Sequence, residues 1–135
     1  MTHIAIVGSG LIGRAWATVF ASHGCSVALH DVAPGAAVAA RAHIGTNLEE
    51  LAGHGLVEDP KGSLARIRVA RDLADVLTGA DLVQENGPET VAAKQQLFAE
   101  MDALCPPSTI LASSTSFIMA SVFSEILAGG HAASS

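Results

Sequence analysis

The feature that most constrains this chain stands near its start. Gly8-Ser9-Gly10-Leu11-Ile12-Gly13 is a G-x-G-x-x-G set directly behind the apolar run Ile4 to Val7. A short apolar run stopped by glycines reads as a strand buried on both faces. Beyond the glycines, Ile12, Ala15, Trp16, Val19, Phe20 and His23 recur at helical spacing as far as Gly24, a suitable helix stop. In this strand-to-helix setting each glycine has a physical task. Gly8 permits the tight turn, Gly10 lets the backbone approach a diphosphate, and Gly13 lets helix lie close to strand. The helix start would then offer the anion free N–H groups and the positive end of its dipole.

The rest of the chain repeats the alternation. Ser26 to His30 reads as a second strand, followed by the turn signal Pro34-Gly35. From Ala36 to about Leu56 the chain is helix-prone, and Val38, Ala42, Leu48, Leu51 and Ala52 form a loose stripe interrupted by Gly45 and ended near Gly53-His54-Gly55. Ile67 to Ala70 is a third strand, Asp72 to Leu77 a short helix, and Asp81 to Gln84 a fourth strand. Pro88 suits the first turn of a helix that continues through Val91, Leu97, Phe98, Met101 and Leu104 to Pro106-Pro107. Thr109 to Ala112 is a fifth strand, Ser113 to Ser116 a hydroxyl-rich turn, and Phe117 to Leu127 a last helix. Parallel strands need crossover helices, so the pattern predicts an α/β protein: a Rossmann-type doubly wound parallel sheet, order 3-2-1-4-5. Residues 1–128 form one domain, and 129–135 read as a disordered tail. Nothing remains for the sixth strand of a full sheet, so truncation before the last strands is expected.

Composition narrows the function. Half of the 135 residues are apolar and 15% are charged, which favours a packed core over disorder. The net charge of −6 leaves no cation excess for nucleic acid or an anionic membrane. No window approaches the ~20 apolar residues that span a bilayer, and the N-terminus lacks the pattern of a secretory signal. Cys25 and Cys105 form no paired motif, and the histidines show no metal-ligand spacing. These features predict a soluble cytoplasmic protein without a metal.

Asp31 follows the second strand, where a carboxylate accepts hydrogen bonds from an adenosine ribose and repels a 2′-phosphate. No arginine follows it directly, so NAD is favoured over NADP. Asp31 could instead cap the turn before Pro34. His30 reads as a surface residue. The same glycines and acid would also serve the ribose of FAD.

Three segments carry a resemblance. Ile6 to Ala17, with Arg14 and Trp16-Ala17, is joined by Gln84-Glu85-Asn86-Gly87-Pro88-Glu89 with Lys94, and by Leu111-Ala112-Ser113-Ser114-Thr115-Ser116. With these the chain resembles the 3-hydroxyacyl-CoA dehydrogenase superfamily, in particular its lambda-crystallin, L-gulonate 3-dehydrogenase and carnitine dehydrogenase branch. The resemblance implies that Leu11 and Ile12 present backbone to the diphosphate and that Asp31 holds the adenosine ribose. It implies that Glu89 and Lys94 contact NAD near the nicotinamide-side ribose, and that Ser116 hydrogen-bonds the reacting hydroxyl or carbonyl of a 3-hydroxy acid or acyl-CoA substrate. Blander roles exist for each: Glu89 favours a helix start, Lys94 suits a solvated face, and Ser116 suits an N-cap.

The family's base is a histidine in a His-Pro segment beyond the last helix, oriented by a glutamate, and neither has a counterpart here. His131 lacks the following proline and receives no catalytic role. The helical C-terminal domain of the family is absent too. The expectation is the N-terminal, NAD-binding part of an oxidoreductase, unable to turn over alone and able to pair as a homodimer through an exposed fifth strand. The competing reading is a non-catalytic dinucleotide-binding or crystallin-like structural module.

Overall fold

Five short apolar runs pair as parallel strands, and the helices between them cover both faces of the sheet. The computed structural model describes residues 2–86 and 91–113. In chain order its elements are β1 (His3–Val7), α1 (Leu11–Ser22), β2 (Ser26–His30), α2 (Ala36–Gly53), α3 (Pro60–Ala65), β3 (Ile67–Val69), α4 (Leu73–Leu77), β4 (Leu82–Glu85), α5 (Val91–Leu104) and β5 (Ile110–Ser113). The sheet order is β3-β2-β1-β4-β5, as the alternation predicts. Ile4 pairs with Val27 on one side and Leu82 on the other, which makes β1 the central strand.

Residues alternate between two cores, as the pleat requires. Ile4, Ile6, Val27, Leu29 and Leu82 pack under α1 and α2 with Phe20, Ile44 and Leu48. Ala5, Val7, Ala28 and Val83 pack under the opposite layer with Val76, Leu77 and Met101. Both faces of the central strands are therefore dry, which is why they read as continuous apolar runs. Arg66 closes the end of α1 by donating to the Ala21 carbonyl from Nε at 3.0 Å and Nη2 at 2.9 Å.

Several boundaries differ from those read in the sequence. The second helix ends at Gly53, within the stop read at Gly53-His54-Gly55, but it runs through Gly45 without a break. A Cβ at Gly45 would lie 3.1 Å from the Leu64 side chain, so this glycine seats α3 against α2. The short helix α3 is absent from the sequence reading. It starts at Asp59, whose carboxylate accepts from the Gly62 N–H at 3.0 Å, with Pro60 in the first turn. β3 stops at Val69, although Ala70 N–H still donates to Leu29 O at 2.8 Å. β4 and β5 each sit one residue later than expected. Ser113 belongs to β5 rather than to a turn, because it pairs with Glu85. Pro88, the helix predicted over 117–127 and the tail 129–135 lie outside the described residues. Among the described residues no helix is long and apolar enough to cross a membrane.

Candidate functional site

The C-terminal end of the sheet is where an open α/β fold places its ligand, and here the end of β1 is the centre of the site. Gly8 leaves the strand with φ 95°, a left-handed conformation suited to glycine, and its N–H donates to His30 O at 2.8 Å. A Cβ at Gly13 would collide with the Gly8 carbonyl oxygen, so α1 can lie this close to the turn only with glycine there. Gly10 is different. It has an ordinary φ of −68° and nothing within 4 Å of a Cβ position. The structure has no internal need for glycine at that point, and the space a Cβ would enter is left open.

Gly10 is also the N-cap of α1, and no side chain caps the helix or places an acid in its first turn. The first-turn N–H groups lack helical acceptors, while the Leu11 and Ile12 side chains stand 77% and 53% exposed. The backbone of the exposed Leu11 and Ile12, with buried Gly13 behind them, thus forms a positively polarised end.

Asp31 lies across the crevice. Its Oδ2 accepts from the Ser9 N–H at 2.7 Å and the Ser9 hydroxyl at 2.9 Å, and Oδ1 accepts from the Ala33 N–H at 2.9 Å. Burial works to raise the Asp31 carboxyl, but the Ser9 and Ala33 N–H groups, the Ser9 hydroxyl and the neighbouring His30 together hold it below its ordinary value. The carboxylate is therefore ionised near neutrality, and it caps the turn before Pro34 while facing the crevice. Both roles read for it in the sequence are compatible.

The crevice has a volume of about 660 Å³ and is lined by Gly8, Gly10, Asp31, Val32, Leu73 and Asn86, among others. A second groove of about 160 Å³ adjoins it beyond Asp31, between Pro34-Gly35 and Val69 to Arg71. An anion-accepting helix end, room beside Gly10 and a carboxylate facing the same crevice fit the diphosphate and adenosine ribose of a dinucleotide. Among the described residues no group of His, Cys, Asp and Glu is arranged to hold a metal.

Comparison with known proteins decides the family. The family model for the 3-hydroxyacyl-CoA dehydrogenase NAD binding domain matches residues 3–132. The chain belongs to that family. A lambda-crystallin homolog of Bos taurus is 37% identical over 121 residues, covering 87% of this chain and 38% of that protein. An L-carnitine dehydrogenase of Streptomyces griseus is 40% identical over 113 residues, covering 84% and 33%. The crystal structure of 3-hydroxybutyryl-CoA dehydrogenase from Escherichia coli superposes with a TM-score of 0.77 at 36% identity, covering 86% of this chain and 25% of that one. The chain thus spans between 25% and 38% of the length of these relatives. Together with the family model they bear out the superfamily, the branch, the fold class and NAD as the cofactor of this domain family.

Within the NAD-binding domain, the structure brings Gly8, Gly10 and Asp31 to one crevice, and Leu11, Ile12 and Gly13 follow Gly10 in the first turn of α1. Lys94 lies on α5, with its side chain outside the described residues, and Glu89, Ser116 and His131 lie outside them altogether. Sequence reasoning passed over Ser9, Asn86 and Arg71. Only the position of Asn86 just past a central strand would have flagged it. His30, read as a surface residue, is half-buried, lines the crevice and binds the glycine turn through its carbonyl.

Proposed function

We propose that this chain supplies the cofactor half of a dehydrogenase moving a hydride between NAD and a 3-hydroxy acid or 3-hydroxyacyl-CoA. The observation that carries the reading is the open space at Gly10, set at an uncapped helix end and facing an ionised Asp31. The α1 amides hold the diphosphate, and Asp31 accepts from the adenosine ribose. A 2′-phosphate meets the Asp31 charge and is disfavoured. NAD, when bound, supplies the site that takes or gives the hydride.

Glu89 and Lys94 bind the nicotinamide-side ribose, and Ser116 is the catalytic hydroxyl, orienting the reacting oxygen of the substrate. The pairing of Glu85 with Ser113 supports this grouping, because the segments carrying Glu89 and Ser116 begin at neighbouring positions on the sheet edge. β5 pairs only with β4 among the described strands, which supports a homodimer formed through its other side. Free Cys25 and Cys105 support a reducing, cytoplasmic setting.

Calorimetric titration of the 135-residue chain with NAD, NADP and FAD tests the reading. NAD should bind, NADP more weakly and FAD not at all, with no turnover of 3-hydroxy substrates. Preference for FAD, or no nucleotide binding, would overturn it.

A further inference from the structure

Two side-chain amides at the end of β4 are oriented by backbone carbonyls, which can only accept hydrogen bonds. Gln84 Nε2 lies 3.3 Å from Glu85 O, and Asn86 Nδ2 lies 3.3 Å from Gly8 O and 3.4 Å from Gln84 O. The carbonyls fix which end of each amide is nitrogen. Asn86 Oδ1 is then the acceptor for Gln84 Nε2, at 2.7 Å.

Gln84 is fully buried, and its Oε1 has no hydrogen-bond partner among the described residues. An unsatisfied buried acceptor is destabilising, a penalty an apolar side chain of similar size would avoid. What the penalty secures is a fixed Asn86. That residue also donates its backbone N–H to Val7 O at 2.8 Å, and its Nδ2 lies 3.2 Å from where a Cβ on Gly13 would be. Asn86 therefore bonds the end of β1 and the glycine turn, lies beside Gly13 in the first turn of α1, and lines the crevice.

We propose that Asn86, held by Gln84, is a positioning residue for the diphosphate cradle. It anchors the Gly8 carbonyl and so sets the spacing between the end of β1 and the amides of α1. The inference rests on the NAD-binding reading above and adds a strut to it from β4.

The test compares the 135-residue chain with Asn86→Ala and Gln84→Met, titrated with NAD and with adenosine, which lacks the diphosphate. Both variants should bind NAD about tenfold more weakly and adenosine as the wild type does. Gln84→Met removes the orphaned acceptor together with the bond to Asn86 Oδ1, so its melting temperature should stay close to that of the wild type, and it carries the test alone if Asn86→Ala does not fold. Unchanged NAD affinity overturns the proposal. So does an equal loss for adenosine, or a melting temperature of Gln84→Met that falls in step with its affinity. A wild-type chain that binds no NAD overturns the proposed function itself, and this inference with it.

Discussion

Oδ2 of Asp31 accepts two hydrogen bonds from a single residue, Ser9, one from its backbone N–H and one from its hydroxyl. The carboxylate that ends β2 is thereby fastened to the middle of the turn that ends β1. An ionised carboxylate has about four acceptor positions. Ser9 and Ala33 fill both positions on Oδ2 and one on Oδ1, which leaves a position on Oδ1 for a sugar hydroxyl.

Cofactor choice should follow from that arrangement. Asp31→Ala removes the proposed acceptor for the sugar and leaves the Ser9 and Ala33 N–H groups without their partner. NAD affinity should fall about tenfold or more. NADP should lose less or gain, because His30 and Arg71 line the groove beside Asp31 and no carboxylate would then repel the 2′-phosphate. Ser9→Ala, which deletes one of the hydrogen bonds, should lower NAD affinity by less. Titration with both dinucleotides checks this, and an unchanged ratio in Asp31→Ala would defeat the ribose role.

Acid should loosen the fold through the same group. Hydrogen bonds outweigh burial at Asp31, so its folded-state value lies below the ordinary 3.8. A depressed carboxyl contributes stability that is complete above the unfolded value and lost as pH falls through the folded one. Below pH ~4 the melting temperature of the wild type should therefore drop more steeply than that of Asp31→Asn. Thermal melts across pH 2–6 measure the difference, and superimposable acid limbs would show that the charge contributes nothing.

Two glycines of one motif should separate folding from binding. Gly13→Ala drives a Cβ into the Gly8 carbonyl, and backbone overpacking of this kind costs about 1–3 kcal/mol. Gly10→Ala meets open space at an ordinary φ, so its cost should be limited to the poorer N-cap, about 0.5–1 kcal/mol. Its methyl group would nevertheless occupy the space assigned to the diphosphate. Gly10→Ala should melt within a few degrees of the wild type and bind NAD poorly, whereas Gly13→Ala should lose both stability and binding. Equal NAD affinity in Gly10→Ala and the wild type would remove the diphosphate from that position.

The strand order and the glycine turn were legible because both depend on short-range patterns: apolar runs, glycine stops and helical spacing. Helix α3 was not, since its capping residue Asp59 and first-turn Pro60 precede only one turn of chain, which contains Gly62. The expected end of β5 at Ala112 missed Ser113 because strand limits depend on the partner, and Glu85 extends the ladder by one pair. In the site, residue types announced Asp31 and the glycines. The Ser9 bond to Asp31 and the Asn86 bond to Gly8 span 22 and 78 positions, and no spacing rule shows which side chains will meet over such intervals.

That difference in span also bears on the order of assembly. Loop-closure entropy grows with the logarithm of length, so the longer closure is disfavoured by about 1 kcal/mol relative to the shorter. The β1–β2 half, with its Ser9 latch, is favoured to gather first, and β4 arrives against a surface already in place. The wall bearing Asn86 would then complete the crevice late, and a nucleotide present during folding would act on the final docking event rather than on the initial collapse.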